Sequence, residues 1–462
     1  MASSWRMTRR RFLQVAAPLL PAASAFAGES APPPTPRPTK AAPPAVRPAF
    51  NWKKYSGAKI RLLTQSNHVW ADIVNAKIAE FKDLTGIDVM VEILPDVRKQ
   101  TSLEFSTGSS TADVFGSTLA QDGIKFLAAK YYTDLKPLLD DASLTSPEFD
   151  FADFTPRIME SARQDGVTVG VPLWSECSVL CYHKNLFKQA GVTSDPWDWT
   201  FDDMSKAAAA VRKLGADIYG VSLRGAASQV AGMWSVWLHS FGGTWLDKDG
   251  NPALTSPEAL AAVEAYGRMV REYGPPNSTA LDWSKSREFL LQNKAAMWLD
   301  TSTLMPLDPA KFAPMERFGF ARTPAGPKGI RSPQVFSWVA AIYNGSKNKE
   351  AAWYFIQWAT SPKFQLELSK KGPLPARRSV YTMPEFKTGL AASNPDFIRA
   401  AQFTLEAGHG TWLPPFVNVL EARDVVGKLI QVAINGMTGE PLRQEAQKTN
   451  AELARIRRES GL

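Results

Sequence analysis

Lys59-Ile60-Arg61-Leu62-Leu63-Thr64-Gln65 has the apolar density of a buried strand, and the thirty residues after it decide the fold. Trp70, Val74, Ile78, Phe81 and Leu84 recur at helical spacing, and Gly86 stands where that helix ends. Ile87-Asp88-Val89-Met90-Val91-Glu92-Ile93-Leu94 then alternates as a strand and stops at Pro95. A helical segment over about 97–106 leads to a short strand, Asp113-Val114-Phe115, and Ile124 to Tyr131 is helical again. Strand, helix, strand, helix, strand at this spacing predicts right-handed βαβ units and a mostly parallel sheet flanked by helices, an α/β fold. Ligands of such sheets bind beyond the carboxyl ends of the strands, here Gln65-Ser66-Asn67 and Gly116-Ser117-Thr118.

The second half is richer in helices. Thr200 with Asp203 forms the pattern of a capping box. Ser256-Pro257-Glu258 offers an N-cap, a first-turn proline and an acid at the positive helix end. Ser346 opens a helix with Ala352, Phe355, Ile356 and Ala359 inward, Val425 to Ala433 marks another, and a polar helix covers about 441–459. No internal repeat is visible.

Length and composition bound the function. A chain of 462 residues suggests two or three domains, and 44% hydrophobic with 21% charged residues is ordinary soluble usage. The apolar runs fall short of the ~18 residues of a spanning helix. Two Cys exclude a disulfide scaffold, and with four His they leave little for a metal centre. Half of the formal charge of +8 comes from Arg6, Arg9, Arg10 and Arg11, inside a stretch of 27 residues without an acid. The remainder is too dispersed for a nucleic-acid partner.

That first stretch reads as an export signal. Thr8-Arg9-Arg10-Arg11-Phe12-Leu13-Gln14 resembles the twin-arginine motif, an apolar segment runs from Val15 to Phe26, and Ala25-Phe26-Ala27 supplies small residues for cleavage. Residues 1–27 are therefore expected to be removed and the mature chain to be periplasmic. Residues 28–50 hold eight prolines between Pro32 and Pro48, which predicts an extended, disordered linker. Ordered structure is expected from near Trp52.

Several chemistries find no motif: there is no Gly-x-Ser-x-Gly elbow, no His-Glu-x-x-His, no phosphate loop and no dinucleotide fingerprint. Aligning Gly250 of Asp247-Lys248-Asp249-Gly250-Asn251 with the glycine of a calcium loop puts Trp245 and Ser256 at the first and last ligand positions, where carboxylates are needed, so the stretch reads as a hairpin turn. His68, His183, His239 and His409 show no ligand spacing. Cys177 and Cys181 share one face of an extended segment, with Cα atoms ~13 Å apart, too far for a disulfide. No metal and no cofactor is expected. The positive signal is tryptophan, fifteen in all, because an indole face packs on the C–H face of a sugar and its N–H also donates. Trp70, Trp174, Trp234, Trp298, Trp338 and Trp412 lie at element ends or beside Gly, Pro and polar residues.

From Gly170 onward the motifs fall into a known order. They are Gly170-Val171-Pro172-Leu173-Trp174-Ser175-Glu176, Tyr182-His183-Lys184-Asn185-Leu186-Phe187, Trp199-Thr200-Phe201-Asp202-Asp203, Phe241-Gly242-Gly243-Thr244-Trp245, Ala253 to Ala259, Phe289 to Met297, Ser346 to Ala352, and Gly372-Pro373-Leu374-Pro375-Ala376-Arg377. In this order the chain resembles the extracellular solute-binding proteins of carbohydrate ABC importers, the maltose- and polyol-binding type. Asn293 departs from that pattern, standing where the family has a glycine.

The resemblance implies a two-lobe periplasmic-binding-protein fold, each lobe a mostly parallel sheet flanked by helices, with a ligand cleft between lobes that close by hinge motion. It implies an N-terminal lobe at 51–173 with a returning segment at about 300–345, and a C-terminal lobe at 174–299 continued by about 346–462. It implies a carbohydrate, polyol or sugar derivative as ligand, ABC transporter transmembrane permease subunits as partners, a monomer, and no catalysis. It places Glu176 and Asp300 as ligand-binding carboxylates and Gln65, Asn67 and Ser117 on loops facing the ligand. Trp70, Trp174, Trp234, Trp298, Trp338 and Trp412 are the stacking candidates. The competing readings are a secreted glycoside hydrolase, which needs two carboxylates ~5 Å or ~6.5–9.5 Å apart, and an exported redox protein, which lacks its cofactor motifs.

Overall fold

A computed structural model describes residues 49–66, 68–307 and 315–459. The export-signal stretch 1–27, most of the linker 28–50, and Asn67 lie outside the described residues. Phe50, at the end of the expected linker, already packs on Tyr354, with ring centroids 5.1 Å apart.

The first sheet is built as the βαβ reading requires. Strand β1 (Lys59–Gln65) pairs in parallel with β2 (Asp88–Leu94) and with β3 (Val114–Ser117). The helix Val69–Thr85 between β1 and β2 ends at Gly86, whose φ of 74° is the left-handed conformation that glycine adopts without a Cβ penalty. After a two-residue hairpin, β4 (Arg163–Gln164) and β5 (Val167–Thr168), comes β6 (Val171–Pro172). The second sheet holds β7 (Glu176–His183), β8 (Tyr219–Val221), β9 (Ala295–Thr301), β10 (Phe318–Ala321) and β11 (Val335–Phe336). β12 (Val339–Ile342) returns to the first sheet, whose order is β2-β1-β3-β12-β6.

Two α/β units result, as expected, but their sheets are mixed. β12 runs antiparallel to β3 and β6, and β7 runs antiparallel to β9, β10 and β11. The chain re-enters each sheet from the opposite end after crossing, which reverses the strand. The crossings are short: 173–175 leads from β6 to β7, and 337–338 leads from β11 to β12. They are joined by the Leu173 N–H donating to the Trp338 carbonyl (2.9 Å) and the Ser337 hydroxyl donating to the Trp174 carbonyl (2.6 Å). A third segment lies beside them, since Ser175 N–H donates to the Leu374 carbonyl at 2.8 Å.

The boundaries between units differ from those the sequence suggests. β10 and β11 pair with β7 in the second sheet, so of the stretch 300–345 only β12 rejoins the first. The helices Lys349–Ala359 and Pro362–Ser369 belong with the first sheet, because Phe355 packs edge-on against Phe81 (5.5 Å) and Phe364 lies beside Trp70 (6.4 Å). Helical periodicity shows an inward face but not which sheet it meets. From Pro395–Ala407 onward the chain packs on the second unit. The Thr200–Asp203 capping box and the Ser256 N-cap form as read. Asp247 to Asn251 makes the turn of a small hairpin closed by a Leu246–Pro252 bridge. Cys177 and Cys181 are buried and free.

Candidate functional site

Along β7 the side chains alternate between two cores. Cys177, Val179 and Cys181 face one, and Leu180 faces the other. The strand begins at Glu176, directly after the crossing 173–175, so this carboxyl stands where the two units meet. A cavity of about 320 Å³ opens there, at the small end of the range for ligand sites.

Its aromatic wall comes from the crossings and the first strand's exit. The His68 ring lies edge-on to Trp174 (4.9 Å) and to Trp338 (4.4 Å). Burial, and then the guanidinium of Arg98, pull this imidazole down to about 3, so it is neutral. On the other side Phe336 and Trp412 stack at 4.4 Å. Gly232 permits that placement: a Cβ there would stand 3.1 Å from the indole carbons Cε3 and Cζ3 of Trp412.

The polar lining is partly spent and partly free. Glu176 accepts from the Trp174 indole N–H (2.8 Å) and from the Thr303 hydroxyl (2.9 Å). Burial pushes its carboxyl up to about 7 against the pull of these bonds and of Arg224. Gln121 Oε1, Gln334 Oε1, Arg98 Nε, Trp412 Nε1 and Arg423 Nε are buried on lining residues and have no hydrogen-bond partner in the protein. Buried polar atoms are ordinarily paired. Two acceptors and three donors on the lining of one cavity between aromatic faces suit a small ligand that offers both hydroxyls and C–H surface.

Six of the residues singled out in the sequence line this cavity: Gln65, Trp70, Trp174, Glu176, Trp338 and Trp412. Two of the six are committed elsewhere. Gln65 spends its amide at the start of helix Val97–Ser106, accepting from the Val97 N–H at 3.0 Å and donating to the Pro95 carbonyl. The Trp70 indole donates to the Ala359 carbonyl at 3.0 Å and packs in the core.

Four others do not reach the cavity. Ser117 is buried against the Asp122 carboxyl (3.0 Å) and the Tyr132 hydroxyl (2.7 Å). Trp298 pairs opposite Cys181 on β9 and so faces the core, with its N–H on the Ser286 hydroxyl. On helix Ala227–Ser240 the cavity takes Gln229, Gly232 and Met233, one helical face, which leaves Trp234 turned into the second core against Trp245. Asp300 is fully buried and grips Arg224 with both oxygens, one at 2.8 Å from Nε, so it holds a lining residue without lining the cavity itself.

The residues that sequence reasoning passed over are His68, Arg98, Gln121, Arg224, Gln334 and Arg423. Arg98 and Arg224 follow the carboxyl ends of β2 and β8, whereas the sequence reading takes that signal only from β1 and β3. Arg423 lies within a helix and carries no such signal.

Residues 67–366 match the family model described as bacterial extracellular solute-binding protein. The erythritol/L-threitol-binding protein of Mycolicibacterium smegmatis is 28% identical over 363 residues, covering 73% of this chain and 74% of that one. The mannitol-binding protein of Pseudomonas aeruginosa is 27% identical over 340 residues, covering 68% and 76%. Among solved structures, a ribitol complex of an ABC transporter solute-binding protein from Agrobacterium radiobacter superposes with a TM-score of 0.74 at 27% identity, over 87% of this chain and 99% of that one. One from Agrobacterium vitis with bound D-mannitol reaches 0.75 at 23% identity over 87% and 99%, a likeness of fold.

Proposed function

The chain belongs to the bacterial extracellular solute-binding protein family, and from that premise we propose that it captures a small polyol, sugar or sugar derivative between its lobes for an ABC importer. One observation carries the ligand class: unpaired buried donors and acceptors share a cavity of about 320 Å³ with the faces of Trp174, Trp338 and Trp412. Relatives that bind erythritol, threitol and mannitol support a ligand of this size. The hydrolase alternative loses ground because the described lining holds a single carboxyl, Glu176, while Asp300 is locked to Arg224. A melting-temperature screen of the mature protein against polyols, sugars and sugar acids tests the reading. A ligand at a hundredfold excess over Kd stabilises by about 2.7 kcal/mol. No shift with any polyhydroxylated compound would remove the proposal.

Delivery to a permease places the protein in the periplasm, and Thr8 to Gln14 is the proposed twin-arginine address. Replacing Arg9 and Arg10 by Lys is expected to leave precursor in the cytoplasm. Normal periplasmic levels of that variant would mean another export route.

A further inference from the structure

Three guanidiniums line the cavity, those of Arg98, Arg224 and Arg423, against one carboxyl, that of Glu176. They are not equivalent. Arg224 is neutralised by Asp300, which holds it from behind. The nearest carboxylate to Arg98 is Asp96, 3.9 Å away and half-exposed. For Arg423 no carboxylate of the described residues lies within ion-pair distance, and its Nε is buried without a partner. Burial, followed by the like charges of Arg98 and Arg224, pulls its guanidinium down to about 10, with no acid acting against them.

The surrounding acids are engaged. Glu421, two residues before Arg423, is 2.6 Å from Arg455, and Asp424, the next residue, is 2.9 Å from Lys428. Asp122, behind Arg98, accepts from Ser117 and from the Thr118 N–H. Glu176 is held between Trp174 and Thr303, and its raised ionisation leaves much of it protonated at neutral pH.

A buried guanidinium without a counter-charge is costly. Arg423 is such a group, and the part-exposed Arg98, with only Asp96 at 3.9 Å beside it, faces it from the opposite side of the cleft. Arg98 stands in the first turn of helix Val97–Ser106 on the first sheet, and Arg423 in helix Val419–Ile434 of the second unit. Charge of one sign on both walls opposes closure until something of the other sign enters. We infer that the solute is anionic, a polyhydroxylated chain bearing a carboxylate or phosphate group that is held between Arg98 of one lobe and Arg423 of the other. Guanidinium forks match both groups geometrically. The hydroxylated remainder then lies against Trp174, Trp338 and Glu176. This deepens, and rests on, the solute-binding reading.

The test is calorimetric titration of the mature protein with three matched series: ribitol and D-mannitol, the carboxylates D-ribonate and D-mannonate, and the esters ribitol 5-phosphate and mannitol 1-phosphate. One anionic series is expected to bind at least about tenfold tighter than the neutral compounds. Which series does so tells carboxylate from phosphate. Arg423→Gln and Arg98→Gln should each bring the acid-to-neutral ratio within about twofold of unity. Arg423→Gln should also melt no earlier than wild type without ligand, since it removes an uncompensated buried charge. Neutral polyols binding as tightly as both anionic series, or a ratio untouched by both variants, would overturn the inference and leave the solute-binding reading standing. Binding by none of the three series would overturn both.

Discussion

Glu176 shows what burial does to a single group at this site. Its carboxyl sits at the start of β7 with both oxygens accepting, yet burial still raises it to about 7 from an ordinary 4.5. A group that keeps its proton longer in the folded state contributes stability that is fully present below the unfolded value and is lost as pH rises through the folded one. Asp122, raised to about 6 mainly by burial, acts in the same direction. His68, lowered to about 3 by burial and Arg98, acts in the opposite one, contributing above its ordinary 6.5 and losing that contribution as pH falls. The informative quantity is therefore the stability of Glu176→Gln relative to wild type, in which the other groups cancel. From about pH 5 to about pH 8 the variant should gain on wild type by on the order of 1–3 kcal/mol. Chemical denaturation across that range measures it. A difference that stays flat with pH would mean that Glu176 ionises as an exposed carboxyl does.

At the scale of elements, most of what sequence can show is local, and the site is not. Lys59–Gln65 and Val97–Ser106 take up the spans their patterns predict, because period-2 and period-3.6 burial are properties of neighbouring residues. The Thr200–Asp203 cap is local for the same reason. Strand direction is not local: that β7 runs against β9 depends on where the chain re-enters the sheet, more than a hundred residues away. Trp174 and Glu176 were legible because they lie in the Gly170–Glu176 motif that carries the resemblance, whereas Trp338 was singled out only as a tryptophan beside polar residues, outside every such motif. Trp298 and Trp234 misled because tryptophan is as useful to a core as to a sugar. Arg98, Arg224 and Arg423 come from three separate elements, and only tertiary folding brings their charges to one cavity. Gly232 illustrates the limit: a glycine in mid-helix reads as a weak point, whereas here its missing Cβ seats Trp412 against Phe336.

Over the whole molecule, the cavity and the crossings point to one expected motion. The lining residues come from both units, and helix Val419–Ile434 touches the segment Leu119–Gly123 of the first, the contact expected of a closed arrangement. If the lobes open as the proposed function requires, they should turn about 173–175, 337–338 and the stretch beside Leu374, since these link the sheets and are tied to each other through Leu173, Ser337 and Ser175. A solute touching both walls prefers the closed state, whereas one touching a single wall shifts nothing. Taking an open-to-closed ratio from 99:1 to 1:99 requires a preference of about 10⁴. Without solute, unpaired buried polar atoms and the facing charges of Arg98 and Arg423 favour the open form. The ligand-free mature protein should therefore have a larger radius of gyration in small-angle scattering than the liganded one, and saturating ligand should bring its curve to that of the closed arrangement. Trp174 and Trp338 sit on the crossings themselves, so their fluorescence should change with the same ligand dependence. If scattering stays constant while calorimetry records binding, the solute enters a preformed cavity, and the crossings are rigid supports instead of a hinge.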